Sequence, residues 1–216
     1  AKSDIKDGFW RMEYAAGEEW NFTYVLPQEE GEPLSLVVPT SLQMGWVESP
    51  PYFCAATETS RDISTEYIKT KVNSLSRHKF EHYVVGASAY TDLPESGHDP
   101  QKFSYMVEVY VDDFMSLVIP VSREQLRHVA NAIMHGIHDV FPPDNNDDED
   151  PISEKKMEKG EGLYDTKKTL LCFDFDGNAK TMWLESAKRE KLLTILKGWI
   201  RTGKRGSAGI LLGDFE

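Results

Sequence analysis

Residues 108–119, Glu-Val-Tyr-Val-Asp-Asp-Phe-Met-Ser-Leu-Val-Ile, set two adjacent aspartates, Asp112 and Asp113, in the middle of an apolar, β-branched run. Burying one ionised carboxylate is costly unless it is paired or binds a metal, and burying two side by side costs more. The stretch must therefore either break at a solvated turn or use the aspartates to hold a cation. Both options put a β-hairpin over 102–120, with two β-rich arms around a two-residue Asp112-Asp113 turn, since aspartate tolerates the backbone that such turns need.

The flanking sequence supplies other elements. Residues 122–140 carry a capping pair, Ser122 and Gln125, followed by a single apolar stripe of Leu126, Val129, Ala130, Ile133, Met134, Ile137 and Val140, which predicts an amphipathic helix. Phe141-Pro142-Pro143 stops it. A second helix is expected from Ser49 as N-cap and Pro50 in the first turn. A third spans about 186–200, with Leu192, Leu193, Leu196, Trp199 and Ile200 on one face. Residues 17–38 read as a polar-tipped hairpin, and 169–177 as one strand ending at the Gly177 turn. Strand, helix, hairpin, helix, strand is an α+β order, with helices covering one face of an antiparallel sheet.

With 216 residues, 40% of them hydrophobic, the chain can build one sizeable core or two small ones. No run approaches the roughly 20 apolar residues of a membrane-spanning helix. The sequence opens on Ala1 already patterned as a strand, and is expected to be a piece of a longer chain. Cys54 and Cys172 lie far apart in apolar contexts, which predicts buried thiols in a reducing, intracellular compartment, cytoplasmic or nuclear. The net charge of −12 is unevenly spread: 144–150 holds five acids in seven residues, while 188–205 holds seven basic residues against one acid. The first reads as a solvated loop, and the second keeps a nucleic-acid partner in play despite the acidic total.

Three other patterns can be set aside. Phe173-Asp174-Phe175-Asp176-Gly177-Asn178 has the look of a haloacid-dehalogenase opening, but Asn178 stands where that motif needs threonine and only 38 residues follow. The 144–155 stretch is oxygen-rich but lacks the glycine and the terminal glutamate of an EF-hand loop. His78/His82 and His135/His138 have ligand-like spacing without a nearby cysteine, so packing or surface roles are expected rather than zinc.

Asp4 lies in Lys-Ser-Asp-Ile-Lys-Asp-Gly-Phe-Trp, where a short apolar-flanked strand should end near Lys6 and Asp7. If that strand lies beside the 102–120 hairpin, Asp4, Asp112 and Asp113 converge at one sheet edge and form a set of hard oxygen ligands suited to Mg²⁺. Four stretches in this order, Ser3–Met12, Leu42–Phe53, Tyr110–Asp113 and Leu170–Gly177, resemble motifs A, B, C and E of reverse transcriptases, the RNA-directed DNA polymerases of retrotransposons and retroviruses. The resemblance covers almost the whole chain, and Tyr-x-Asp-Asp between apolar arms is its most specific part.

The resemblance implies a polymerase palm over 1–12 and 47–176, partial fingers over 13–46, and the start of a thumb over 177–216. It implies two Mg²⁺ (or Mn²⁺) ions on Asp4, Asp112 and Asp113, an RNA or DNA template with its primer, and deoxynucleoside triphosphates as substrates. Phe9 falls at the aromatic gate that excludes a ribose 2′-hydroxyl. Asp7 and Gly8 supply backbone near the triphosphate, Met44 and Gly45 belong to the motif B loop, and Tyr110 stands with the substrate-binding residues. Met44 departs from the glutamine or phenylalanine common in the family, and Cys172 from the glycine common in motif E. The lysine that protonates the leaving pyrophosphate would come from Ile152–Gly162, with Lys156 favoured over Lys155 and Lys159. A second expectation, of a different class, is a catalytically inactive retroelement remnant or a domesticated module that only binds nucleic acid.

Overall fold

The chain begins with a three-residue strand, β1 (Lys2–Asp4), and a 3-10 turn over Gly8–Arg11. This is described by a computed structural model that covers residues 1–28, 31, 33–70, 74–85, 93–94, 104–143 and 150–202. A small antiparallel pair follows, β2 (Tyr24–Val25) with β3 (Leu36–Val37), so the hairpin expected over 17–38 forms with very short arms. Then come α1 (Ser49–Thr70), α2 (Glu81–Val84), β4 (Ser104–Tyr110), β5 (Asp113–Ile119), α3 (Arg123–Val140) and α4 (Glu154–Glu158). The last elements are β6 (Lys167–Leu170), β7 (Phe173–Asp176), β8 (Thr181–Leu184) and α5 (Ser186–Thr202). The chain divides into two compact units, Ala1–Tyr164 and Asp165–Glu216. The architecture is mixed α+β with antiparallel sheets, as the order of patterns predicts. The acidic 144–149 stretch lies outside the described residues, as do the basic residues beyond 202.

The first unit is organised by a three-stranded antiparallel sheet in the order β1-β5-β4. Side chains alternate across it, as the pleat requires. Val107, Phe114 and Ser116 are buried toward the core, with Tyr105, Val109 and Val118 packed beside them. On the opposite face Met106, Tyr110, Leu117 and Ile119 remain exposed. The inward face meets α1 and α3 in one core that includes Ile5, Phe53, Phe80, Leu126, Val129, Ile133, Ile137 and Ile152. Each such side chain, fully buried, contributes about 1.5–3 kcal/mol.

The α3 cap forms largely as its sequence predicts. The Ser122 hydroxyl accepts the Gln125 N–H, and the Gln125 side chain reaches back to accept the Val121 N–H at 2.8 Å. Ser49 behaves differently. It lies inside the first turn of α1, and its hydroxyl donates to Gln43 O at 2.7 Å, which ties the preceding loop down instead of capping the helix. Small residues let α1 and α3 approach closely: Thr57, Ser60 and Ser64 are fully buried, and the Ser60 hydroxyl donates across the helix pair to Gly136 O at 2.8 Å.

In the second unit, the strand expected over 169–177 is two strands joined by a tight turn at Leu171-Cys172, both with positive φ. Neither is a glycine, asparagine or aspartate, so nothing in composition marks this turn. β6, β7 and β8 form an antiparallel meander. Asp176 accepts the N–H groups of Asn178 and Ala179 and pairs with Lys167, a turn-stabilising role that gives the Asp-x-Asp-Gly pattern a structural explanation. Both cysteines are half-buried rather than buried and neither forms a disulfide. Cys172, exposed in part by its place in the turn, receives Lys188 Nζ at 2.6 Å. Among the described residues no helix is long and apolar enough to cross a membrane.

The α1–α3 contact generates a stability prediction. A methyl group on Gly136 would lie 2.2 Å from Ser64 Oγ and 2.9 Å from Ser60 O. Gly136→Ala should cost about 1–3 kcal/mol, read from the urea midpoint. Adding Ser64→Ala should recover only part of this, because the Ser60 carbonyl stays in the way; full recovery would show that backbone crowding is not the cause.

Candidate metal centre

Sheet register brings the three aspartates together. In β1–β5 pairing Asp4 stands directly opposite Asp113, and in β4–β5 pairing Tyr110 stands opposite the same Asp113. Cross-strand partners share a face, so Asp4, Asp113 and Tyr110 all belong to the open face. Asp112 sits in the connecting turn, where its carbonyl accepts the Ile5 N–H at 3.1 Å. One carboxylate oxygen from each of Asp4, Asp112 and Asp113 lies within 4.8 Å of the others.

The two-residue turn is Val111-Asp112, not Asp112-Asp113. Tyr110 pairs with Asp113, and Val111 takes the positive φ of 58°. A β-branched residue in that region is strained. Its side chain packs against the core, which holds it there and leaves Asp113 in the strand, aimed at Asp4.

The electrostatics of the cluster are those of a half-compensated anion site. Asp4 is 6% exposed, and burial pushes its carboxyl up to about 6, with Asp112 and Asp113 adding to the rise and Lys156 opposing it. Lys156 Nζ reaches Asp4 Oδ1 at 2.5 Å, and Lys2 Nζ reaches Asp113 Oδ1 at 2.9 Å and Glu161 Oε2 at 3.5 Å. Burial lowers the Lys2 ammonium, but the carboxylates around it outweigh that and hold it above its ordinary value. The three aspartates are faced by two ammonium groups, one of which, Lys2, is shared with Glu161, so the cluster keeps a net negative charge. Three hard oxygen donors this close together are a set that could hold a divalent cation such as Mg²⁺ or Mn²⁺.

Of the lysines expected from 152–162, Lys156 is the one brought to the carboxylates, whereas Lys155 and Lys159 are exposed. The positioning is done by the segment before α4. Ser153 N–H donates to Asp4 O at 3.0 Å, Lys6 N–H donates to Pro151 O at 2.7 Å, and Ile5 bridges Ile152. Lys2 was not anticipated, although it lies two residues before Asp4 and strand alternation alone places both on one face.

The remaining expected residues fall around this centre. β1 ends at Asp4, earlier than Lys6, and the chain turns through Asp7, which has φ 55°. Phe9 therefore stands in a 3-10 turn, with its ring packed on Phe53 at a centroid separation of 4.8 Å. Gly8 is required by packing: a methyl group there would lie 2.3 Å from the Phe53 ring. Tyr110 is 61% exposed beside Asp113. Met44 and Gly45 belong to a separate loop entering α1, with Met44 exposed and Gly45 at φ 97°. That loop is braced by aromatic contacts running from Tyr14 through Phe22 and Trp46 to Tyr52.

No protein-family model matches the chain, and no curated protein matches it.

Burial of Asp4 has a testable consequence for stability. Its folded value of about 6 exceeds the ordinary 3.8, so across that window the folded state holds more protons and the contribution of Asp4 to stability falls as pH rises. The stability of wild type relative to Asp4→Asn should decline from pH 4 to pH 6.5 in thermal melts without divalent ions. At pH 7, Mn²⁺ should raise the wild-type Tm and leave that of Asp4→Asn unmoved. A pH-independent difference would remove the burial argument.

Proposed function

We propose that this chain is the palm-centred part of a retroelement reverse transcriptase, which adds deoxynucleotides to a primer 3′-hydroxyl on an RNA or DNA template. The observation that carries the reading is the convergence of Asp4 with the distant pair Asp112 and Asp113 on one open sheet face. In this reading the sheet β1-β5-β4 with α1 and α3 is the palm, the 13–46 region belongs to the fingers, and α5, with Lys188, Arg189, Lys191 and Lys197, begins a thumb that meets duplex phosphates. Two half-buried, unpaired thiols suit a reducing, intracellular compartment.

Asp4, Asp112 and Asp113 would hold two Mg²⁺ (or Mn²⁺) ions. Bound there, the ions supply activation of the attacking hydroxyl and charge neutralisation at the phosphates. Lys156 stands with its ammonium at the carboxylates, where it can give a proton to the departing pyrophosphate. Phe9 is held by Phe53 directly after the strand that carries Asp4, a place from which ring bulk can reject a 2′-hydroxyl. The exposed ring of Tyr110, on the same face as Asp113, offers a flat surface for the primer end.

One observation favours the second reading, a non-catalytic remnant that keeps only nucleic-acid binding. Lys2 and Lys156 already pair with Asp113 and Asp4, so two of the three aspartates have an ammonium partner without a metal. Primer extension with Mg²⁺, on this chain and on a longer one carrying the preceding fingers segment, separates the two. Extension by the longer chain, lost in Asp112→Asn, is the expected result. Template binding without extension in either chain would establish the remnant. In an active chain, Phe9→Val should raise incorporation of ribonucleotides relative to deoxynucleotides by roughly tenfold or more; unchanged rejection would remove Phe9 as the gate.

A further inference from the structure

Three histidines meet on the side of the first unit where the loop before α2 packs on α3. Phe80 N–H donates to His78 Nδ1 at 3.2 Å, His78 Nε2 lies 3.2 Å from His138 Nδ1, and His138 Nε2 lies 3.1 Å from Asp150 Oδ1. His135 packs its ring edge-on against His78 and bonds the Ser76 carbonyl.

The direction of this chain follows from its ends. A backbone N–H can only donate, so His78 Nδ1 carries no proton and its Nε2 must. That proton points at His138 Nδ1, which is therefore the bare nitrogen, and the His138 proton sits on Nε2 and is donated to Asp150. Both rings are neutral. A proton on His138 Nδ1 would face the one on His78 Nε2, and a proton on His78 Nδ1 would face Phe80 N–H. The same logic argues against a metal here, since His78 Nε2 is already protonated. The negative charge of Asp150 is met instead by Lys79, whose Nζ lies 2.9 Å from Oδ2.

Asp150 opens the segment that reaches the carboxylate centre. Its Oδ1 also accepts the Ile152 N–H at 2.8 Å. Ile152 pairs with Ile5, Ser153 donates to Asp4 O, and Lys156 follows one turn later on α4. We infer that His78, His138 and Asp150 are positioning residues that latch the 150–156 segment and so hold Lys156 at Asp4, and that the latch opens when it takes up a proton.

Burial pulls the His78 imidazole down to about 3, with His138, His135 and Lys79 adding to the fall and Asp150 opposing it. Burial alone would push the Asp150 carboxyl up, but the hydrogen bonds from His138, Lys79 and Ile152 N–H overcome it and hold the group below the carboxylate range. The other charged group at this corner, Glu81, accepts from Asn131 and is faced by Arg77 and Arg127. A histidine held neutral in the closed state and free to charge in the open one makes closure strongest above about pH 6.5 and weaker as pH falls.

The bearing of the latch on catalysis rests on the polymerase reading, but the latch can be tested without activity. Imidazole ¹⁵N shifts of the full chain at pH 7 should show His78 and His138 both as neutral Nε2–H tautomers. Hydrogen exchange at Ser153, corrected for intrinsic rate, should report opening that grows up to about tenfold per pH unit as pH falls below about 6.5. That slope should disappear in His78→Gln, which removes the ring that takes up the proton, and in His78→Asn if the first variant is poorly folded. An Nδ1–H or charged ring at pH 7, a flat Ser153 profile in wild type, or the same slope in a folded variant would each overturn the proposal. Absence of primer extension by the unmutated longer chain, with these results intact, would instead count against the polymerase reading.

Discussion

The candidate site depends on a strand of three residues being held from both sides. β1 pairs with β5 along one edge, while on the other Lys2 N–H donates to Glu161 O and Ser153 N–H donates to Asp4 O. So short a strand has little stability alone, because two or three ladder bonds do not offset the entropy of ordering it. Clamped between β5 and the 150–161 segment, it has its backbone groups satisfied and its side chains aimed. Asp4 faces Asp113 because of that clamp, and Lys156 faces Asp4 because the clamping segment continues into α4.

The same arrangement explains why a cluster of acids survives in a nearly buried place. Asp4 loses solvation, and its neighbours Asp112 and Asp113 make ionisation harder still. Lys156 and Lys2 repair part of this, at 2.5 and 2.9 Å. Ion pairs at such half-exposed positions gain modestly, since charge attraction is set against lost hydration and side-chain ordering. Net negative charge is left over, since Lys2 is shared with Glu161, and this residual charge is what a divalent cation can satisfy. Any cation that enters competes with the Lys2 and Lys156 ammonium groups for the same oxygens.

Much of the fold was legible where periodicity and local chemistry agree. The stripe and the Ser122 cap mark α3 to within a residue, and the β-rich arms mark β4 and β5. What was illegible has specific causes. The Leu171-Cys172 turn uses two residues without turn preference, so a continuous strand was the natural reading. The hairpin turn was expected one residue late because aspartates favour turns and valine does not, whereas the half-buried Val111 side chain packs against the core from the turn. In the site, Asp4, Asp112, Asp113 and Lys156 were marked by residue type and order. The 150–153 segment was not, since its contribution is made by backbone hydrogen bonds that no residue type announces. The histidines had the right spacing for attention, but the hydrogen-bonded chain they form with Phe80 N–H and Asp150 joins distant parts of the sequence that spacing does not connect.

Fold and site are one constraint, as a register slip makes plain. In the observed pairing Ser3 and Ile5 face the core with Phe114, while Lys2 and Asp4 face outward with Asp113. Sliding β1 by one residue would reverse every side chain. Lys2 and Asp4 would then be driven against Phe114 and Val107, with each unpaired charge costing several kcal/mol, and Ile5 would lose its place beside Phe53. The apolar pattern of β5 therefore selects the register of β1, and that register alone sets Asp4 opposite Asp113. A carboxylate cluster built this way needs no cation to assemble, because the hydrophobic core has already chosen where its oxygens stand.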